Sequence, residues 1–112
     1  MDDDPGVRGS LDSLLRSAGM NGIGFAAAED LLAYDGAQGL DCIVTDLHMP
    51  GMSGVDLQDE LVRRRWYKPV IVMTAYPTDA ARARALSGGA RQFLTKPVDP
   101  DALLDAIEAA ID

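Results

Sequence analysis

The chain has 112 residues, 47% of them apolar, and a formal net charge of −8, the size and balance of one soluble domain with a single core. The charge excludes general nucleic-acid binding, since the phosphate backbone would be repelled, and favours a bound cation or a basic partner. Cys42 is the only cysteine, no apolar stretch approaches the ~20 residues of a membrane span, and the acidic start is unlike a signal peptide, so a cytoplasmic location is expected.

Asp2, Asp3 and Asp4 open the chain. Taken alone, a terminal charge run reads as a solvated tail; the competing reading is half of a metal site. Val7, Leu11, Leu14, Leu15 and Ala18 then share one helical face, with Gly19 as a stop. GIGF (residues 22–25) is a weak strand signal, and Leu31 and Leu32 mark a short helix closed by Gly36. CIVT (42–45) is a continuous, β-branched run, the pattern of a strand covered on both faces. Ser53 is a candidate N-cap for a helix carrying Val55, Leu57, Leu61 and Val62. VIVMT (70–74) is the second strong strand signal. Thr78 caps a helix to Ser87, ended by Gly88–Gly89; FLT (93–95) is a third strand; Asp99–Pro100 starts a helix lined by Leu103, Leu104, Ile107 and Ile111. Strand ends recurring at the length of a βα unit imply an α/β domain over residues 1–112, an open parallel sheet with helices on both faces.

Ligands of such sheets gather beyond the C-terminal strand ends. The residues there are Asp46, Thr74 and Lys96. Each alone reads as a turn residue, a β-former or a solvated charge; together they suit phosphoryl capture. A carboxylate can attack phosphorus and carry the group as an acyl phosphate, while an ammonium and a hydroxyl offset charge on the phosphoryl oxygens. Mg²⁺ would need further acids beside Asp46. The chain start offers three.

The stretches TDLHMPGMSG (45–54), MTAY (73–76) and TKPV (95–98), preceded by DDDPGVRGSLDSLL, resemble the receiver domains of two-component response regulators across essentially the whole chain. The resemblance implies a flavodoxin-like fold and a phosphoacceptor signalling domain. A sensor histidine kinase would phosphorylate Asp46 with Mg²⁺ as cofactor, the chain accepting a phosphoryl group without turnover. It makes Asp3 a direct metal ligand and Asp2 one acting through water, with His48 lending its backbone carbonyl and exposing its ring. Thr74 and Phe93 resemble the switch pair, Lys96 the phosphate-pairing lysine and Pro97 its often cis-linked neighbour. Arg8 falls in the expected register. Asp4 and Cys42 receive no role and read as a solvated charge and a core residue. Arg82, Arg84 and Arg91 against Asp99, Asp101 and Asp105 give the 78–111 face both signs, as a homodimer interface requires. RRRWYK (63–68) reads as the exposed end of a helix rather than a nucleic-acid patch.

The sequence departs from the family at one point: about five apolar residues normally precede the acidic pair, and only Met1 stands there. Losing such a central strand forfeits on the order of 8–15 kcal/mol of burial, comparable with the stability of a domain. A start lying further upstream, a GIGF strand closing against CIVT to leave four strands, or a strand supplied by another chain would each answer it. Two rival functions follow: a phosphorylation-incompetent scaffold, and a Mg²⁺-dependent phosphatase working through an aspartyl phosphate. Phosphatases of that kind generally carry a second Asp where this chain has His48. An output domain or partner protein outside this sequence would complete the signalling role.

Overall fold

Three short strands, β1 (Ile43–Asp46), β2 (Val70–Thr74) and β3 (Gln92–Thr95), lie side by side in that order and parallel throughout. This computed structural model describes residues 1–49 and 51–111; Pro50, within the 45–54 stretch, and Asp112 lie outside the described residues. Five α-helices surround the sheet: α1 (Pro5–Ser17), α2 (Ala28–Leu32), α3 (Gly54–Arg63), α4 (Asp79–Ser87) and α5 (Pro100–Ile111).

The central strand β2 is buried at every position, which is why its sequence is continuously apolar rather than alternating. Its residues feed two cores. Val70 and Val72 pack with Leu57, Leu61 and Phe93, while Ile71 packs with Leu103 and Ile107 on the opposite face. The register sets Asp46 beside Met73 and Thr74 beside Thr95, so the strands finish together at one edge.

Local chemistry explains where the helices begin. The Ser53 hydroxyl accepts from the Asp56 N–H at 3.1 Å, and the Asp56 carboxylate accepts from the Ser53 N–H in return, a reciprocal cap. Thr78 caps α4 through Ala81 at 3.0 Å, and Asp99 caps α5 through Ala102 at 3.1 Å, with Pro100 opening the helix. Asp4 corrects the sequence reading: it is the N-cap of α1, accepting from the Gly6 N–H at 2.8 Å ahead of Pro5. Ser53→Ala should therefore cost about 1 kcal/mol and lower the thermal midpoint by about 4 °C, measurable by calorimetry.

Among the described residues the sheet has three strands, not the four expected. Gly22–Phe25 runs outside it. Among the described residues, Met1 and Asp2 make the backbone bonds between that segment and β1. The Met1 amine donates to the Val44 carbonyl, the Asp46 N–H donates to the Met1 carbonyl at 2.8 Å, and the Asp2 N–H donates to the Phe25 carbonyl at 3.2 Å. Residues 22–25 thus sit one strand's width too far from β1 to bond it directly, and two residues are too few to define a strand of their own. The same gap explains α1. Its apolar face is present, yet none of its residues is fully buried, because Leu11 and Leu15 border a cavity of about 540 Å³.

Candidate functional site

The sheet's C-terminal edge brings four of the expected residues together. Asp46 ends β1, Lys96 follows β3, and the Lys96 Nζ donates to Asp46 Oδ2 at 3.0 Å and to Asp2 Oδ2 at 2.6 Å. Carboxylate oxygens of Asp2, Asp3 and Asp46 all lie within 4.8 Å of one another. Asp2 is 1% exposed and Asp46 8%, whereas Asp3 faces solvent.

Each acid is held by its own local geometry. Asp2 is fixed through its backbone, to Phe25 by its N–H and from Arg8, whose guanidinium donates to the Asp2 carbonyl at 2.7 Å. Its Oδ1 accepts from the Asp4 N–H at 3.0 Å. Asp46 Oδ1 accepts from the His48 N–H at 3.2 Å. The tight approach of α3 finishes the platform: the Gly54 N–H donates to the Leu47 carbonyl at 3.0 Å, and a Cβ at Gly54 would lie 2.9 Å from the Asp46 carbonyl oxygen.

Thr74 is fully buried at the end of β2; its hydroxyl oxygen accepts from the Tyr76 N–H at 3.0 Å, which leaves the hydroxyl proton free to be donated. Phe93 is buried in the core, with the Arg82 guanidinium 6.0 Å above its ring. His48 is exposed and its ring packs edge-on against Tyr76 at 5.9 Å; the imidazole is not in the acidic cluster. The Lys96–Pro97 peptide bond is cis. Sequence reasoning missed Gly54 and Tyr76. A glycine just after a helix cap carries a signal for close backbone approach, whereas nothing in MTAY signals the Thr74–Tyr76 bond.

Three carboxylates against one ammonium leave this edge negative. Desolvation pulls the Lys96 pKa down, but hydrogen bonds to Asp2 and Asp46 outweigh it, and the ammonium is held above its usual 10.5. A raised lysine pKa stabilises the fold fully below the unfolded value. That contribution should disappear as the pH climbs from about 10.5 through the folded-state value. Lys96→Met should flatten this alkaline limb of a denaturation series. The cluster also fits a hard divalent cation: all donors are carboxylate oxygens, and exposed Asp3 opens a side for retained waters.

Residues 1–108 match the response regulator receiver domain. The chain belongs to that family. It is 38% identical over 112 residues to Nodulation protein W of Bradyrhizobium diazoefficiens, covering 100% of this chain and 49% of that protein. It is 41% identical over 113 residues to Transcriptional regulatory protein FixJ of Azorhizobium caulinodans, covering 99% and 53% respectively. Among solved structures, FixJ-N superposes with a TM-score of 0.88 at 34% identity, over 99% of this chain and 89% of the other. Response regulator StyR does so with 0.88 at 40% identity, over 99% and 56%. The chain spans about half the length of these two curated relatives. The receiver fold, flavodoxin-like with its parallel sheet between helices, is therefore shown, and with it a signalling role in two-component systems. No described helix is long and apolar enough to cross a membrane.

Proposed function

We propose that Asp46 accepts a phosphoryl group from a sensor histidine kinase, and that the resulting acyl phosphate alters the surface formed by α4, β3 and α5. The observation that supports this best is Lys96 Nζ bridging Asp2 and Asp46 beside exposed Asp3. Asp46 would attack phosphorus with a carboxylate oxygen; the new O–P bond forms as the bond to the donor breaks, and the donor leaves with that electron pair. Asp3 and Asp46 would hold Mg²⁺ directly with the His48 carbonyl, and Asp2 through water. When bound, the ion offsets the charge of the phosphoryl oxygens.

Lys96 is already hydrogen-bonded to Asp46, so it needs only a short swing to pair with a phosphoryl oxygen. The Thr74 proton supplies a second contact, and movement of Thr74 toward it would relax the Tyr76 N–H that now binds its oxygen. Phe93 lies behind that movement on β3, under Arg82 of α4. The exposed Arg84, Arg91, Asp99, Asp101 and Asp105 put both charges on the responding face, which suits a homodimer or an output domain or protein. In this role the domain accepts and holds the group without turnover, in the cytoplasm where sensor kinases deliver it. The assembled acidic cluster favours the acceptor over the scaffold, and His48 at the position of a second acid disfavours a phosphatase.

Incubation with acetyl phosphate followed by intact-mass measurement tests the reading. One phosphoryl group should be added with Mg²⁺, none with a chelator, and none to Asp46→Asn. Addition that is indifferent to Mg²⁺, or that persists in Asp46→Asn, would overturn it.

A further inference from the structure

The basic run RRRWYK (63–68) has no part in the acceptor edge. It follows α3 at the opposite end of the sheet, where Val70 begins β2. With Arg91, from the turn between α4 and β3, it holds five of the chain's ten lysines and arginines. Glu60 engages Arg63 and Arg64, and the Arg64 guanidinium stands 5.3 Å from the Trp66 ring and steadies it. Arg65 and Arg91 are exposed and make no ion pair among the described residues. Arg65 also takes the left-handed position that ends α3, at φ 60°, where its N–H and that of Trp66 return to the Val62 and Leu61 carbonyls at 3.0 and 2.9 Å. Glycine adopts that conformation with less strain; arginine keeps a charge next to Trp66.

Between the end of α3 and the turn at Gly88 and Gly89 lies a cleft of about 190 Å³. Its apolar walls are Leu61, Val62, Trp66, Tyr67 and Val70, and Lys68 and Arg91 line it too. Tyr67 is 77% exposed. Gln58 completes the lining and is 2% exposed. Its Nε2 donates to the Ala85 carbonyl at 3.0 Å, whereas its Oε1 has no partner among the described residues. The Ala85 bond holds the amide in place, so the oxygen is a buried acceptor in want of a donor.

We propose that this cleft seats a tyrosine side chain from an acidic segment of a partner protein. The size fits one ring, since a cavity of about 150 Å³ holds benzene, and it favours a phenol over an indole. Apolar walls around a single unpartnered acceptor match a ring with one donor at its tip, and the phenol hydroxyl would donate to Gln58 Oε1. Carboxylates beside the tyrosine would pair with Arg65, Lys68 and Arg91. Tryptophan, tyrosine and arginine, which this run supplies, are also the side chains that anchor protein contacts most often. The net charge of −8 selects a short segment. A nucleic acid or an anionic membrane extends past the basic patch and is repelled by the rest of the chain, whereas a few carboxylates meet only the local cations. The cleft lies away from Asp46, and its occupation does not depend on phosphoryl transfer.

Trp66 is the only tryptophan and lines the cleft, so its fluorescence reports occupation. Titration of the whole chain with the acetylated, amidated peptide Asp-Glu-Tyr-Asp-Glu should change the Trp66 emission and saturate below about 1 mM. The same peptide with phenylalanine for tyrosine should bind about tenfold more weakly, because it leaves Gln58 Oε1 unpaired. Lys-Lys-Tyr-Lys-Lys should not bind. Arg65→Glu combined with Arg91→Glu should weaken the acidic peptide at least about tenfold, with the circular dichroism of the fold unchanged. Varying the hydroxyl on the peptide leaves buried Gln58 intact throughout. No saturation by that concentration, equal binding of the phenylalanine peptide, or indifference to the charge of the peptide or of positions 65 and 91 would each overturn the proposal. So would saturation of the Trp66 signal by a DNA duplex or by anionic vesicles in place of the peptide.

Discussion

Lys96→Ala should slow phosphoryl acceptance by on the order of 10²–10³-fold, the loss typical of removing one preorganised contact to a developing charge. The same variant should bind Mg²⁺ more tightly than the wild-type chain. Both effects have one cause. The ammonium spans Asp2 and Asp46 at 2.6 and 3.0 Å, so it neutralises the acids in the resting protein and competes with a cation for them. Without it, Asp2 keeps a carboxylate that is 1% exposed and has lost its cationic partner. Lys96 retains a fifth of its exposure, so the loss should be nearer about 2 kcal/mol than the full value for a deeply buried pair. Added Mg²⁺ should return most of that stability while leaving acceptance slow. Calorimetry with and without Mg²⁺, beside acetyl phosphate time courses, separates the two. A variant with unchanged metal affinity would show that Lys96 does not contend for the acidic site.

Gly54→Ala should lower stability by about 1–3 kcal/mol and slow acceptance at Asp46 at the same time. A Cβ there would stand 2.9 Å from the Asp46 carbonyl oxygen and 3.2 Å from the Leu47 Cα, both backbone atoms that cannot rotate aside. Relief requires α3 to lift from the end of β1, which carries the acceptor. Gly9, in the middle of α1, has nothing within 4 Å of its added Cβ. Gly9→Ala should therefore stabilise, by up to about 1 kcal/mol, and leave acceptance untouched. Denaturant midpoints for the pair distinguish a packing clash from a general effect of replacing helical glycines.

What could be seen in the sequence was whatever depended on neighbours in the chain. VIVMT is β-branched and unbroken because β2 is covered on both faces, and its bounds match the strand residue for residue. Ser53, Thr78 and Asp99 announce their helices because a cap bonds only three residues ahead. GIGF differs for the opposite reason: a strand exists only beside a partner, and the bond this segment receives from the β1 side among the described residues is the Asp2 N–H on the Phe25 carbonyl. Asp4 looked like part of a solvated charge run, although Pro5 immediately after it is the signature of a capped helix start. Of the site, Asp46, Thr74 and Lys96 were legible from their place after three strands. The burial of Asp2 was not, since it rests on a lysine 94 residues away and on backbone bonds to Phe25 and from Arg8.

The most direct measurement is to locate the phosphoryl group chemically. Borohydride reduces an aspartyl phosphate to homoserine, so protein treated with acetyl phosphate and Mg²⁺, then reduced and digested, should yield homoserine at position 46 and at no other aspartate. Homoserine at Asp2, Asp3 or elsewhere, or an unreduced Asp46 in protein that carries the group, would contradict the assignment of Asp46 as the acceptor.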